Sequence, residues 1–385
     1  MPSRTDGPAR ILIVRPSALG DVCRTVPVAA SLRARWPGAT IGWVVQKGFE
    51  DAIAAHPAVD EVIAFPRRDF RQPWRPAVAA AINRWRRDLR GGAWDLVIDA
   101  QGLGRSGLIA LASGARVRIG EAGAREAAWM MYTRRVPIRE PRHAVDRMLD
   151  LVAAAGAEPV EAMDLAVPAA ATDWWKGVRR EAGLGDRPYA VIAPTARWRS
   201  KQWPADRFAA VADHVAGRGL ACVFVGAPGE EDAVRAAIPA QSGAADRRDH
   251  LDLSGRTTVG GMMAVIAGAS LIVTGDSAPL HMAAGLQTPA VALFGPTEPD
   301  RVGPRGDGPL TVLGGVDPQR DGVVNYRRLR DDDRWMQRIE VETVKRAVDE
   351  LRDRSAIPTD VSAVSGVSDE SEVSGVPGVP GVNAS

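Results

Sequence analysis

Short apolar runs alternate with segments of helix length twice along the chain, and this rhythm constrains the fold more than any other feature. Apolar runs separated by helices indicate parallel strands, because a parallel pair needs a long crossover connection. In the first half the runs are ILIVR (11–15), IGWVV (41–45), VIAF (62–65), LVIDA (96–100) and RVRIG (116–120), with helices expected up to Arg35 and between the second and third runs. The pattern predicts an α/β domain whose parallel sheet is covered on both faces.

The rhythm restarts after a stretch at residues 159–188 that contains prolines and glycines. The runs there are YAVIAP (189–194), ACVFVG (221–226), LDLSG (251–255), LIVTGD (271–276) and AVALFG (290–295), with helices expected over 205–217, from Glu230, over 258–268 and from Pro279. A single hydrophobic core stops growing at about 250–300 residues, so a chain of 385 residues predicts two domains. Two similar doubly wound halves therefore follow one another.

The expected boundaries place a first domain at residues 1–178 and a second at 179–355. Apolar positions at helical spacing predict a closing helix over Glu340–Arg354. Residues 303–335 are polar and predict loops. The last segment, 356–385, is rich in Ser, Gly and Pro and lacks large apolar residues, which predicts a disordered tail.

No segment predicts a membrane span, a secretory signal or a structural metal site. The longest apolar run, Met262–Val273, is shorter than the roughly 18 residues that a span needs. The N-terminal MPSRTDGPAR contains no apolar signal region, so we expect a cytoplasmic protein. Cys23 and Cys222 lie far apart without a CxxC pattern, which predicts two buried thiols rather than a disulfide or a zinc site.

Arginines and tryptophans are concentrated in residues 67–90. The members are Arg67, Arg68, Arg71, Arg75, Arg84, Arg86, Arg87 and Arg90 with Trp74 and Trp85, against only Asp69 and Asp88. Two interpretations remain open for this segment: contact with a polyanionic partner, or a solvated helix face. The acids of the C-terminal tail leave the rest of the chain more basic than its total charge of +2.

A turn that favours anions follows the first strand. RPSALGDV (15–22) leads from the strand through Gly20 into a helix, and a helix N-terminus presents free N–H groups and a positive dipole end. The turn lacks the GxGxxG fingerprint, and Gln46 and Lys47 follow the second strand where a dinucleotide-binding domain has an acid. This argues against a nicotinamide enzyme. Asp21 remains open as a functional carboxylate or a helix cap.

A second such turn follows the strand LIVT in the other half. In DSAPLHMAA (276–284), Asp276 or Ser277 is placed to cap a helix, and Pro279 suits its first turn. The free amides at 277 and 278 predict a seat for a diphosphate, although a well-capped structural helix has the same sequence features.

Further polar residues follow strands of the same half. They are Thr195, Arg197 and Lys201 in PTARWRSKQWP, Glu230 in GAPGEE, and the segment FGPTEP (294–299). Because the carboxyl ends of parallel strands meet at one edge of a sheet, we expect these groups to share a cleft. Lys201 and Arg197 suit phosphate charge, and Glu230 suits ribose hydroxyls.

These motifs resemble the lipopolysaccharide heptosyltransferases, glycosyltransferase family 9 enzymes of GT-B fold. The resemblance covers about residues 10–300 and rests on SALGDV, WVV with Gly48 and Phe49, DAQGL (99–103), HAVDR (143–147), SKQWP, GAPGEE, DSAPLH and FGPTEP. It is closest to the enzymes that add the first heptose. It implies two Rossmann-like domains facing across a cleft, and inverting transfer of heptose from ADP-heptose to an acceptor of the Kdo-lipid A type.

The resemblance also implies roles for individual residues. Asp21 matches the catalytic base. Lys201, Glu230, Asp276 and His281 match donor ligands, and the positions of the residues add Thr195, Arg197, Ser277 and Ala278 to the expected donor-binding set. The expected acceptor-binding set is Ser17, Gly20, Gln101, Arg67, Arg68 and Arg71, of which the arginines are a hypothesis from the charge of their segment. His281 alternatively is a satisfied helix residue. Ala196 and Ala278 depart from the family pattern, in which a hydroxyl and a glycine are common.

The same resemblance sets the expected partners. They are a nucleotide-sugar donor and an anionic lipid-linked saccharide acceptor, with no nucleic acid, no metal and no cofactor. We expect a monomer, with peripheral contact at the inner face of the inner membrane. Two alternatives in function remain, a second-heptose or other family 9 transferase and a non-catalytic binder of nucleotide sugars or lipid headgroups. A nicotinamide oxidoreductase is disfavoured because its glycine fingerprint is missing.

Overall fold

The structure is a computed structural model that describes residues 7–240, 250–322, 324, 329 and 331–356, and it contains two parallel six-stranded sheets. The first sheet has the order β3-β2-β1-β4-β5-β6. Its strands are β1 (Arg10–Val14), β2 (Thr40–Gln46), β3 (Glu61–Phe65), β4 (Leu96–Asp99), β5 (Val117–Glu121) and β6 (Arg134–Val136). Val14 at the end of β1 pairs with Val44 on one side and Asp99 on the other, which brings the ends of three strands together.

Helices cover both faces of this sheet. They are α1 (Leu19–Cys23), α2 (Val26–Arg35), α3 (Pro76–Gly91), α4 (Gly104–Ala112) and α5 (Ala144–Ala155), with 3₁₀ turns at Glu50–Ala52 and Ala128–Met131. The helix expected between β2 and β3 is wrong, because that connection contains only the turn Glu50–Ala52. His56 stands before Pro57, and the residue before a proline is disfavoured in helical conformation.

The second sheet has the order β12-β11-β10-β7-β8-β9. Its strands are β7 (Tyr189–Ala193), β8 (Ala221–Phe224), β9 (His250–Asp252), β10 (Leu271–Gly275), β11 (Ala290–Phe294) and β12 (Leu310–Gly314). The five predicted strands of this half are confirmed, although β9 ends before Leu253. The loop prediction for 303–335 missed β12, an edge strand whose residues alternate between exposed and partly buried positions.

The helices of the second half follow the predicted rhythm. They are α6 (Ala169–Glu181), α7 (Ala205–Gly217), α8 (Glu231–Arg235), α9 (Val259–Ala267), α10 (Ala278–Gly285), α11 (Pro299–Val302), α12 (Pro318–Asp321), α13 (Arg334–Gln337) and α14 (Val341–Ala356), with a 3₁₀ turn at Arg199–Lys201. The predicted closing helix is confirmed as α14, which buries Val344, Val348 and Leu351. None of the helices in the described part of the chain is long and apolar enough to cross a bilayer.

The two halves pack against each other through helices near the ends of their sheets. α1 contacts α10, and α9 contacts the turn Glu50–Ala52, where the Gly260 N–H donates to Asp51 Oδ2 at 3.1 Å. One apolar cluster includes residues of both halves. The domain boundary at 178/179 stays a prediction and falls within α6. The predicted tail lies outside the described residues from 357 onwards.

Candidate active site

Asp21 lies in the first turn of α1 and is held by two arginines. Arg24, one turn further on, forms an ion pair with Asp21 Oδ1, and Arg15 Nη2 at the end of β1 lies 3.3 Å from the same oxygen. Oδ2 accepts a hydrogen bond from the Ala18 N–H at 3.2 Å, so the side chain also caps its own helix. The carboxylate keeps 30% of its side-chain surface exposed towards the cleft. The cap and the functional interpretation are therefore compatible.

The electrostatic environment keeps Asp21 ionised. Burial by itself raises the pKa of this carboxyl, but the charges of Arg15 and Arg24 and the hydrogen bond from Ala18 outweigh it. The resulting pKa lies well below the ordinary value of 3.8. Asp21 is thus a fixed negative charge at neutral pH and a weak base while both arginines contact it.

The DAQGL turn after β4 supports the segment that leads into α1. Buried Asp99 accepts hydrogen bonds from the N–H groups of Gln101 and Gly102 at 2.9 and 3.1 Å, and from the Tyr132 hydroxyl at 2.6 Å. Gln101 Oε1 in turn accepts from the Ser17 N–H at 3.2 Å. Asp99 therefore orders the turn that places Gln101 beside the residues preceding Asp21.

A buried ion pair forms the opposite wall. Lys201 Nζ lies 2.6 Å from Asp276 Oδ2, which also accepts from the Thr297 hydroxyl at 2.8 Å. Burial by itself raises the pKa of Asp276. The charge of Lys201 and its hydrogen bond outweigh this effect, so the pKa lies below the ordinary value. Ser277 is the N-cap of α10, and Ala278 and Pro279 follow it in the first turn. A cation and free helix amides therefore lie side by side.

Glu230 is held by hydrogen bonds from residues that follow β7 and β8. Its Oε2 accepts from the Thr195 hydroxyl at 2.6 Å and from the Ala227 N–H at 2.9 Å. Arg197 and Trp198, after β7, line the same cleft. Ala196 offers no hydroxyl, and its carbonyl instead accepts from Gln202 Nε2 at 2.7 Å. Thr195 and Glu230 thus form one polar unit beside the Lys201 wall.

The two walls meet where α1 and α10 touch. A methyl group added to Gly20 would lie 2.7 Å from His281 Cδ2 and 3.3 Å from the Ala278 Cα, so only a glycine fits this approach. His281 is 6% exposed. Burial, and then Arg24, lowers its pKa to about 4 despite opposing contributions from Asp276 and Asp21, so the ring is neutral at pH 7. Among the described residues its Nδ1 has no hydrogen-bond partner.

A cleft of about 1420 Å³ joins both walls. The predicted site residues that line it are Asp21, Thr195, Arg197, Lys201, Glu230, Asp276, Ser277, Ala278, His281, Ser17, Gly20, Gln101 and Arg67. Arg68 and Arg71 are exposed and outside this lining, and their role in acceptor binding stays a prediction. The common crevice predicted for Asp21 and Asp276 is therefore present.

Several cleft residues were not predicted from the sequence. The clearest are the cations Arg15, Arg24, Arg105, Arg142, Arg147 and Arg301 and the hydroxyl of Thr297. The spacing of Arg24 three residues after Asp21 was a usable signal, because such residues are neighbours on a helix. Arg67 has a lowered pKa because of desolvation and the nearby charges of Arg105 and Arg197, so these three cations surround one part of the cleft.

Within the described ranges no group of three or more His, Cys, Asp or Glu side chains is arranged to hold a metal ion. The wall formed by the second half offers instead a lysine, helix amides and Arg197 for anionic groups. Cations and oriented amides are the groups that proteins use for phosphates.

The molecule has two parallel β-sheets flanked by helices, and helix N-termini and cations line the cleft that the two halves share. This is the architecture of a transferase of the GT-B class. Residues 82–319 match the model of glycosyltransferase family 9 (heptosyltransferase). The chain belongs to glycosyltransferase family 9, and it is a glycosyltransferase.

Curated relatives and solved structures agree with this membership. The chain is 33% identical to lipopolysaccharide heptosyltransferase 1 of Pseudomonas aeruginosa over 77% of this chain and 81% of the relative. It is 31% identical to the Salmonella typhimurium protein of the same name, over 76% of this chain and 90% of the relative. The structure of Escherichia coli heptosyltransferase WaaC with ADP superposes with a TM-score of 0.70 at 27% identity, covering 89% of this chain and 99% of that one. A Veillonella parvula family 9 protein, 21% identical, has a TM-score of 0.76 over 90% of this chain and 98% of its own, and shows the fold.

Proposed function

We propose that the chain transfers heptose from ADP-heptose to an anionic lipid-linked saccharide of the Kdo-lipid A type, in assembly of the lipopolysaccharide inner core. The names of the relatives support this sugar and pathway, as do WaaC structures with ADP and with ADP-2-deoxy-2-fluoro heptose. The observation that carries the proposal is the contact of Gly20 with His281 and Ala278, because it puts the carboxylate of Asp21 next to the start of α10.

The donor occupies the wall of the second half. Lys201 and the amides of Ser277 and Ala278 bind the diphosphate, since each presents positive charge or a free N–H to the cleft. Asp276 holds Lys201 in place through their 2.6 Å contact. Glu230, already ordered by Thr195, accepts the ribose hydroxyls. The neutral ring of His281 lies behind the phosphates and adds no charge there.

The reaction is a displacement at the anomeric carbon. The acceptor hydroxyl oxygen forms the new bond to that carbon while the bond to the diphosphate oxygen breaks, and ADP leaves with the electron pair. Asp21 takes the hydroxyl proton. Because its pKa is well below the ordinary value, this transfer comes late, when the oxygen already carries positive charge. Lys201 and the α10 amides stabilise the charge that develops on the leaving group.

The acceptor occupies the wall of the first half. Arg67, Arg105, Arg142 and Arg147 line it and match an anionic saccharide. Arg15 and Arg24 also face this space. When acceptor anions compete for these two guanidinium groups, the charge pairing of Asp21 weakens and its basicity rises.

The first-heptose activity is favoured over the alternatives. The type 1 relatives are 31–33% identical over 76–77% of this chain, whereas a heptosyltransferase 2 of Haemophilus influenzae aligns with only 34% of it. The family membership disfavours the alternative of another class, a non-catalytic binder. Such a binder has no need for a carboxylate beside the start of α10.

Asp21→Asn tests the proposed base. We expect product formation from ADP-heptose to fall by at least about a hundredfold, because general base catalysis typically contributes that much. The ADP-induced rise in melting temperature should persist, since Asp21 lies on the opposite wall from the donor site. Asp173→Asn, on the exposed face of α6, is the matched control and should turn over normally. Normal turnover by Asp21→Asn would exclude this residue as the base. Absence of product from the wild-type protein would favour a non-catalytic binding protein.

The donor is identified by a thermal-shift panel of ADP-, GDP- and UDP-sugars. A ligand that binds only the folded state raises its stability with the logarithm of occupancy. We expect ADP-heptose and ADP to shift the melting temperature most. A larger shift with a UDP- or GDP-sugar would assign a different donor to the same cleft.

A further inference from the structure

Exposed apolar side chains are concentrated on two neighbouring elements of the first half, α4 and the turn Ala128–Met131. Ten large apolar side chains are exposed among the described residues, and five of them fall between residues 108 and 130. Four define what we call the outer patch: Leu108 (56% exposed), Leu111 (46%), Trp129 (38%) and Met130 (61%). Such clustering calls for an explanation, because singly scattered apolar residues are normal whereas a contiguous patch marks a contact surface.

The two elements that carry the outer patch are in direct contact. A methyl group added to Gly107 of α4 would lie 3.2 Å from the Ala128 Cα, in the 3₁₀ turn that carries Trp129 and Met130. Leu108 and Leu111 are three residues apart and share a face of α4 with Arg105. Ala128 and Tyr132 are buried beneath the turn. The exposed side chains therefore project from a well-packed part of the fold.

Arginines are frequent in the part of the sequence that carries the outer patch. Residues 104–139 contain two glutamates, Glu121 and Glu126, and seven arginines: Arg105, Arg116, Arg118, Arg125, Arg134, Arg135 and Arg139. Within the described part of the chain none of these seven forms an ion pair with a carboxylate. Glu121 pairs with Arg147, and Glu126 accepts a hydrogen bond from the Gly104 N–H. The positive charge around the patch is thus uncompensated.

Individual contacts bring this charge to the edge of the patch. The Arg135 guanidinium lies 4.8 Å from the Trp129 ring, and its Nε donates to the Trp129 carbonyl at 3.0 Å. Arg90 at the end of α3 lies beside Gly114, just after α4, which joins the arginines of α3 to the same surface. Arg105, on α4 with Leu108, and Arg125, shortly before the turn that carries Trp129, both line the cleft. The patch is therefore continuous with the acceptor wall.

We propose that the outer patch docks this protein on an anionic membrane surface, with Leu108, Leu111, Trp129 and Met130 entering the interface and the surrounding arginines contacting lipid phosphates. Apolar and aromatic side chains ringed by arginine are the chemistry that favours a headgroup boundary. A protein partner needs no such uniform charge. The inference rests on the proposed function only in that a lipid-linked acceptor must be reached at a membrane.

Vesicle binding tests this surface without any nucleotide sugar. The full chain is sedimented with vesicles of phosphatidylethanolamine and phosphatidylglycerol, or with vesicles of phosphatidylcholine alone, across a range of NaCl concentrations. We expect binding to the anionic vesicles that weakens with salt, because exposed charges are screened. Leu108→Ser/Met130→Ser should weaken partitioning at least about tenfold, since two apolar side chains no longer enter the interface. Leu310→Ser/Val312→Ser, which removes two apolar side chains of β12 that are 37% and 38% exposed, should bind as the wild type does.

Three outcomes would overturn the proposal. They are absence of wild-type binding, equal binding by Leu108→Ser/Met130→Ser, and loss of a dimer in that variant without any vesicle binding, which would make the patch a contact between copies. ADP-induced thermal stabilisation of each variant shows that it is folded. Failure of the proposed transferase function appears separately, as lack of product from ADP-heptose.

Discussion

Lys201 and Asp276 form a largely buried ion pair in the cleft. Their side chains are 18% and 6% exposed, and Asp276 keeps only Thr297 as a second side-chain partner in the described structure. A buried carboxylate that loses its cation remains desolvated without compensation. The ion pair therefore links stability of the second half to its ability to hold a diphosphate.

We predict that Lys201→Met lowers the free energy of unfolding by about 3 kcal/mol, the usual cost of breaking a buried pair. It should also raise the Kd for ADP at least about tenfold, because a charge-assisted contact to phosphate is lost. Denaturant unfolding and calorimetric titration measure the two effects. The control is Lys176→Met, which breaks the ion pair with Asp173, whose side chains are 66% and 74% exposed. It should change the free energy of unfolding by less than about 1 kcal/mol. Similar effects from both substitutions would contradict this account.

His281 makes stability depend on pH. Its pKa is lowered from 6.5 to about 4 in the folded protein, whereas the unfolded chain binds the proton near 6.5. The unfolded state therefore holds the extra proton between these values, and stability is lost as the pH falls from about 6.5 to about 4. The shift corresponds to about 3 kcal/mol.

The difference between wild type and His281→Gln isolates this contribution. His56 and His143 also have lowered pKa values, because of burial, but they are present in both proteins. The lowered pKa values of Asp21 and Asp276 act below 3.8, outside this window. We expect urea unfolding from pH 7.5 to 4.5 to show a slope smaller by up to about one proton in the variant. Equal pH dependence of stability in the two proteins would mean that His281 has the same pKa in the folded and unfolded states.

At the residue scale, the sequence analysis identified polar residues in the segments that follow strands. It missed the long side chains that extend into the cleft from other positions. Asp276 directly follows β10, and Asp21 and Lys201 lie in the segments that follow β1 and β7, so topology puts them at the carboxyl ends of their sheets. Thr297 also follows a strand, but nothing in FGPTEP marks its hydroxyl as the partner of Asp276. Long arginine side chains from both halves converge on the cleft, and a one-dimensional pattern does not encode where they end.

At the scale of elements, the contact of α1 with α10 sets the distance between the two walls. Gly20 is the residue that allows it, because any side chain there meets His281 and the Ala278 backbone. We predict that Gly20→Ala lowers kcat about tenfold or more while the Kd for ADP changes little, because the methyl group pushes the base away from the bound donor. Steady-state kinetics and ADP titration separate the two.

Gly177→Ala is the control for that substitution. Gly177 lies within α6 with open space around the added methyl group, so the change should leave turnover intact and slightly stabilise the helix. Wild-type turnover by Gly20→Ala would show that the walls adjust freely and that the close contact carries no catalytic weight.

Strands were predictable where burial is complete, and the two that were missed are partly exposed edge strands. β7, β10 and β11 are buried at every position and read as continuous apolar runs. The edge strands β6 and β12 were missed, because RRV and LTVLG keep exposed residues and neither stands out from the polar loops around it. Edge strands have only one paired side, so their sequences are less constrained.

At the scale of the molecule, contacts between α5 and residues 302–305 hold the halves together beside the cleft. Arg305 forms a two-pronged ion pair with Asp146 at 2.6 and 3.0 Å, and His143 Nε2 lies 3.1 Å from the Gly303 carbonyl oxygen. Arg24, the partner of Asp21, donates to the Val302 carbonyl at 3.1 Å. The group that neutralises the base is thus also a link between the halves.

The strength of this link is measurable by a double-mutant cycle with Arg305→Gln and Asp146→Asn. Both side chains are partly buried, 30% and 24% exposed, and the geometry is bidentate, so we predict a coupling free energy of unfolding of about 1–2 kcal/mol. The same cycle on Lys176 and Asp173 should give less than about 0.5 kcal/mol, because that pair is exposed. Arg305→Gln should also lower kcat/KM for the acceptor, since residues 301 and 302 line the cleft. Coupling as small as that of the exposed pair would mean that the apolar cluster alone joins the halves, and that the cleft is held by packing rather than by charge.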